Sequence, residues 1–212
     1  MPDQNLSTVR VSAHAIGQPG PWSVTAYAVC VPAGVVAPHR VRGISTGWSA
    51  GTGCLDPDNV LYGIGFEVFG SDGTTRLDAL VPSFDLTQVG VHVSGNAPPA
   101  ALAVYGICAP FVGGHQRCWN VAPAPGTLPT GCFPRVGDGM AFGAGGRVAG
   151  EGLLHLDALV PSSGPGTDGS VRAQRLGTVE GSTKSTTAAR LASAGGDSSS
   201  VTAYGDLIGS WY

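Results

Sequence analysis

The chain has 212 residues, of which 34 are glycine and 16 proline; 42% are hydrophobic, 12% are charged, and the formal charge is −3. The apolar content is enough for a core, so a disordered tract is excluded, and Gly and Pro at this density interrupt helices throughout. No basic cluster is present to displace counterions from phosphate, and no 18-residue apolar run exists, which excludes nucleic-acid binding and a bilayer-spanning helix.

The chain starts with the polar Met1-Pro2-Asp3-Gln4-Asn5, which lacks the apolar core of a secretory leader. For an exported protein, either a leader has been removed or export follows another route. Val9, Val11 and Ala13 then alternate with Arg10, Ser12 and His14, the period of a strand. Gly17-Gln-Pro-Gly-Pro21 turns the chain into a second alternating run, Trp22 to Cys30. Tyr62-Gly-Ile-Gly-Phe-Glu-Val68 and Leu77-Asp-Ala-Leu-Val-Pro-Ser83 read as further strands. Ser71-Asp-Gly73 and Gly95-Asn-Ala-Pro-Pro99 supply turns.

From residue 84 the series begins again. Residues 100–110 align with residues 22–32 at an offset of 78, with Tyr27/Tyr105, Cys30/Cys108 and Pro32/Pro110 coinciding. Phe142-Gly-Ala-Gly-Gly-Arg-Val148 follows residues 62–68 at an offset of 80, and Leu156–Ser162 copies Leu77–Ser83 without change at 79. Val201-Thr-Ala-Tyr204 then repeats Val24-Thr-Ala-Tyr27. Self-similarity at a fixed spacing of about 78 residues defines an internal repeat. Repeat 1 covers residues 5–83, repeat 2 residues 84–162, and a partial repeat 3 residues 163–212. Residues 163–186 read as an inserted Gly/Ser/Thr-rich loop, and Ser182 to Ala194 has helix-compatible character. Each repeat has two halves, which makes five half-units. The predicted fold is a single all-β domain of internally repeated antiparallel sheets, β-prism-like or a sandwich or barrel.

Five cysteines are present. Cys30 to Cys54 and Cys108 to Cys132 are both 24 residues, so a bridge within each repeat is predicted, each closing a loop worth about 3 kcal/mol. Leu207 stands where a third copy of Cys30 and Cys108 would, and the half holding its partner is absent. Cys118 is left as a free thiol, or it displaces one of these partners. No CxxC and no histidine pair at ligand spacing occur, so no metal and no cofactor are expected. Disulfides point to an oxidising, extracellular setting.

Cys54-Leu-Asp-Pro-Asp with Gly63 and Gly65, and Cys132-Phe-Pro-Arg with Gly143, Gly145 and Gly146, resemble repeats of secreted actinobacterial proteins that run C-P-x-G-x-x-x-x-G-G-G. The resemblance covers most of the chain. More distantly the chain is similar to vitelline membrane outer layer protein, a three-sheet β-prism of three Greek-key units. That resemblance implies a secreted, non-catalytic, glycan-binding role. The missing sixth half-unit departs from a closed three-fold prism.

Trp48, Trp119 and Trp211 are the candidate binding residues, as exposed aromatic platforms for a glycan or protein; the competing reading is a lid over the core. Trp22 is assigned to the core. His14 and His92 occupy equivalent positions and read as outward strand residues. His155 and Asp157 share a strand face and can couple. Asp78 and Asp157 are duplicated, which favours a structural hydrogen bond at a strand end. No serine lies in G-x-S-x-G, and Glu67 and Glu151 are not equivalent, so neither a hydrolase triad nor a duplicated glycosidase pair is supported. The G-x-G elements open no helix, which disfavours a dinucleotide site. Asp56-Pro-Asp58-Asn59 has calcium-ligand chemistry but reads as a turn, because Phe133-Pro-Arg-Val keeps none of the acids. The expected function is a non-catalytic extracellular binding module, lectin-like or cell-surface binding, with a glycan or surface component as partner. The alternatives are an assembly subunit that joins copies of itself through open sheet edges, and a secreted carbohydrate-active enzyme.

Overall fold

The computed structural model describes residues 2–11, 37–111, 115–124, 126–129, 140–149, 154–160, 170–175 and 200–208. Every regular element among them is a strand: β1 (His39–Ser45), β2 (Ser49–Gly53), β3 (Asn59–Phe69), β4 (Arg76–Pro82), β5 (Gln88–Ser94), β6 (Ala101–Pro110), β7 (His115–Pro123), β8 (Gly126–Pro129), β9 (Met140–Ala149), β10 (Leu154–Val160), β11 (Ser170–Arg175) and β12 (Ser200–Ile208). The all-β expectation holds. The alternating run at Val9 to Ala13 contributes only an isolated bridge, Pro2 to Val9, within the described residues. The strand expected at 22–30, the inserted loop at 163–186 and the helix-compatible stretch at 182–194 lie outside the described residues.

The strands form three antiparallel sheets, ordered β1-β6-β3, β2-β5-β4-β9-β12-β7 and β10-β11-β8. The first sheet packs on the β2-β5-β4 part of the second. Val41, Leu61, Leu102, Val104 and Cys108 come from one side of this core, and Leu80, Val89, Val91 and Val93 from the other. Strand β5 sets the pattern: Val89, Val91 and Val93 are buried while Gln88, Gly90 and His92 face out. Each buried Val is worth about 1.5–3 kcal/mol, so a one-residue slip that turned this face outward is strongly opposed. A second core gathers Leu156, Val171 and Ala173 under Leu77, Val148 and Leu159.

Strands β7 to β12 follow the order of β1 to β6. The order β7-β12-β9 parallels β1-β6-β3, and β8-β11-β10 parallels β2-β5-β4. Register shifts coincide too. Strand β3 shifts between Leu61 and Gly63 against β6, and β9 between Ala141 and Gly143 against β12. Strand β4 shifts between Leu77 and Ala79 against β5, and β10 between Leu156 and Ala158 against β11. Tyr105 stands opposite Gly65, and Tyr204 opposite Gly145. The duplicated tyrosine and the second glycine of G-x-G are therefore cross-strand partners. Strands β5 and β6, which follow the 83/84 repeat limit, pair with strands that precede it.

This pairing corrects the disulfides. Cys54 is bonded to Cys108, with Cα atoms 5.7 Å apart and a sequence separation of 54. Both expected bridges, Cys30–Cys54 and Cys108–Cys132, need a sulfur that this bond has already used. The reason lies in the sheet: β6 runs between β1 and β3, which sets Cys108 opposite His39 and Leu61 and brings it to the end of the Cys54 turn. Cys30 and Cys132 lie outside the described residues. Cys118 sits in β7 opposite Gly205.

Two glycines mark the close approaches. A Cβ at Gly43 would run into the carbonyl of Gly51, where β1 crosses β2. At Gly145 it would lie 2.5 Å from the Leu80 carbonyl oxygen. That second contact is at the β4–β9 seam, which joins the two parts of the six-stranded sheet through the pairs Ala79–Arg147 and Leu80–Gly146.

Candidate functional site

The β4–β9 seam also carries a cleft, about 690 Å³ in volume, over the outward face of β2, β5, β4 and β9. Its floor follows from the register. Ser49 pairs with His92, His92 with Ala79, Ala79 with Arg147, and Arg147 with Thr202. Residues paired across neighbouring strands share a face, so these five form one row across five strands. Ala79 is the small member, and the space above it is open between His92 and Arg147, two strands or about 10 Å apart. Val81, Ala149 and Leu154 belong to the apolar part of the lining, with Ala50, Val91 and Val148.

Asp78 enters this cleft because of the register shift between Leu77 and Ala79, since an irregularity of this kind re-aims the extra side chain. Its Oδ2 lies 3.1 Å from His92 Nδ1, and Ser94 Oγ donates to its Oδ1 at 2.9 Å. A carboxylate only accepts, so the contact assigns a proton to Nδ1 and leaves Nε2 of the neutral ring as an acceptor. The His92 side chain is 52% exposed and Asp78 19%. The duplicated aspartate thus makes its hydrogen bonds inside the strand, at the register shift, instead of at a strand end. Asp157 occupies the matching shift in β10, where Arg172 pairs with Ala158. His155 is half-buried, and its Nδ1 has no hydrogen-bond partner among the described residues.

Tyr105 organises a second polar cluster. It is 2% exposed, and its hydroxyl donates to Glu67 Oε2 at 2.8 Å. Burial first, and the adjacent Glu67 second, hold its phenol above the usual range. Arg40 and Arg42 lie over its ring at 5.5 and 5.6 Å from the centroid, and Arg40 also donates to the Pro2 carbonyl at 2.8 Å.

Two of the candidate tryptophans belong to opposite margins of the six-stranded sheet. Trp48, just before β2, is half-buried and packs on the main core, and its carbonyl accepts from Val93 N–H. Trp119 lies in β7 opposite Tyr204. Strands β2 and β7 are the two margins of the six-stranded sheet, five strand intervals or about 24 Å apart. Trp211 and His14 lie outside the described residues. Among the described residues, no group of three His, Cys, Asp or Glu side chains is placed to hold a metal ion. The Asp56–Asp58 segment is a turn in which Asp58 N–H donates to Asp56 Oδ1 at 3.0 Å.

Sequence reasoning missed Ser49, Ala79, Ser94 and Arg147 as site residues. Only Asp78 and His92 drew notice, one by duplication and the other by its outward phase. Fold and cleft together define a disulfide-bonded, all-β protein with an open cleft of mixed polar and apolar lining across a sheet seam. No protein-family model matches the chain, and no curated protein matches it.

Proposed function

We propose that this protein is a non-catalytic, extracellular binding module that takes a saccharide in the cleft over Ala79. The row of Ser49, His92, Ala79 and Arg147 carries this reading, with Asp78 and Ser94 beside it. Sugar hydroxyls both donate and accept, and the cleft presents acceptors on His92 and Asp78 and donors on Arg147 and Ser49. Its apolar lining suits the C–H faces of a sugar ring. The resemblance to secreted cysteine/glycine repeat proteins and to vitelline membrane outer layer protein supports the same role. The strand order and register shifts shared by β1–β6 and β7–β12 support the underlying repeat. The Cys54–Cys108 bridge supports an oxidising location. A catalytic reading is less well supported. Ser49 is the serine opposite His92, yet no hydrogen bond joins them, and His92 Nδ1 is engaged by Asp78. On a glycan array the protein is expected to bind a restricted set of saccharides, and Ala79→Leu, which fills the floor, is expected to lower affinity at least tenfold. No binding to any polysaccharide removes the proposal.

A second reading, self-assembly into a filament or coat, is favoured by one surface. Leu55, Phe84 and Phe111 are 90%, 75% and 56% exposed. Their loops meet at one end of the first core. Cys54 N–H donates to the Thr87 carbonyl, Leu61 N–H to that of Leu86, and Phe111 N–H to that of Asp58. Large apolar side chains clustered on a braced end mark interaction surfaces. Sedimentation is expected to show concentration-dependent association that the triple variant Leu55→Ser, Phe84→Ser, Phe111→Ser abolishes. A strict monomer at every concentration rules this reading out.

A further inference from the structure

We propose that the Ala79 cleft selects saccharides bearing a carboxylate, uronate-type sugars, with Arg147 as the residue that reads the acid. This inference rests on the saccharide-binding reading above and deepens it.

The charges of the cleft carry it. Its one acid, Asp78, is already engaged: His92 contacts one carboxylate oxygen and Ser94 the other. Its arginine is not. Arg147 is exposed on β9, and no carboxylate among the described residues forms an ion pair or hydrogen bond with it. The cleft therefore holds, at one side, an acid with both oxygens already hydrogen-bonded and, at the other, an arginine without a carboxylate partner among the described residues. A planar guanidinium can hold a carboxylate through two parallel N–H···O bonds, which a hydroxyl cannot accept in the same way.

Register sharpens the contrast. Glu67 lies two residues beyond Gly65, the partner of Tyr105; Arg147 lies two residues beyond Gly145, the partner of Tyr204. At the first position the chain places a carboxylate and spends it on the Tyr105 hydroxyl. At the second it places a cation, and the row leads from that cation across Ala79 to the His92–Asp78 pair. A sugar ring lying on Ala79 with its carboxylate at Arg147 turns its hydroxyls toward His92 Nε2, Asp78 and Ser49.

Calorimetry with oligogalacturonate, a sulfated glucan and a neutral glucan of matched length tests this, with wild type, Arg147→Gln and Arg147→Lys. The wild type is expected to bind oligogalacturonate at least tenfold more tightly than neutral glucan. Arg147→Gln removes that preference, weakening oligogalacturonate at least tenfold more than neutral glucan. Arg147→Lys restores part of it, because it keeps the charge without the fork. Because Arg147 is exposed, all three proteins are expected to share one melting midpoint. Equal binding of acidic and neutral glucans, or a silent Arg147→Gln, overturns the uronate inference and leaves the saccharide reading standing. Tighter binding of the sulfated glucan than of oligogalacturonate overturns the carboxylate assignment alone. No binding to any of the three overturns both readings.

Discussion

Removing the Cys54–Cys108 bridge, by Cys54→Ser with Cys108→Ala, is expected to cost about 4 kcal/mol, the chain-entropy value for closing a loop of 54 residues. For a chain of this size that corresponds to a melting point roughly 10 °C lower. Cys108 is fully buried within the main core, so Ala there adds a packing loss, and a reductant titration of the wild-type protein isolates the covalent contribution. The comparison that matters is with Cys30→Ser and Cys132→Ser, which are expected to shift the denaturant midpoint far less. Peptide mapping without reduction is expected to recover Cys54 linked to Cys108. A Cys54 peptide linked to Cys30 would mean that residues 22–32, and not β6, lie beside β3, and the sheet order described above would be wrong.

The bridge also explains how far the sequence could be read. The 78-residue spacing identifies two kinds of cysteine position, one after the tyrosine strand (Cys30, Cys108) and one before the G-x-G strand (Cys54, Cys132). A periodic chain cannot distinguish a bond between the two kinds within a repeat from a bond across to the next, because both join the same pair of environments. The shorter 24-residue loop was the natural choice, and the fold takes the longer one because β6 runs between β1 and β3. Strand identity was legible wherever composition and period agreed, as in Leu77–Ser83, in Tyr62–Val68 and in the alternation about Val89. The cleft was not legible. Arg147 and His92 are 55 positions apart in the chain and meet through Ala79 only after β4 pairs with both β5 and β9. Asp78 was visible as a duplicated residue, but its partners His92 and Ser94 depend on a register shift that alternation does not reveal. Trp48 was visible as an aromatic, yet whether it stacks on a ligand or seals a core depends on the packing of β2 against β6, a long-range fact.

If the rule is that each pre-G-x-G cysteine reaches the tyrosine strand of the following half-unit, then Leu207 is the vacant partner of Cys132. Leu207 lies three residues beyond Tyr204, as Cys108 lies three beyond Tyr105. It faces Gln116 in β7 and Ala141 in β9, as Cys108 faces His39 in β1 and Leu61 in β3. The register shift beside it, between Ala141 and Gly143, matches the one between Leu61 and Gly63. Leu207→Cys is therefore expected to close a second bridge with Cys132, which itself lies outside the described residues. The loop spans 207 − 132 = 75 residues, for which chain entropy gives up to about 4 kcal/mol. The variant adds one thiol and consumes two, so its free-thiol count after oxidative folding is expected to fall one below wild type. Its denaturant midpoint is expected to rise, and the rise is expected to vanish on reduction or in a Cys132→Ser background. A thiol at position 207 that stays free, or that bonds Cys30 or Cys118, would show that β12 does not stand to the second set of strands as β6 stands to the first. The proposed repeat would then be one of sequence only, with no shared structure beneath it.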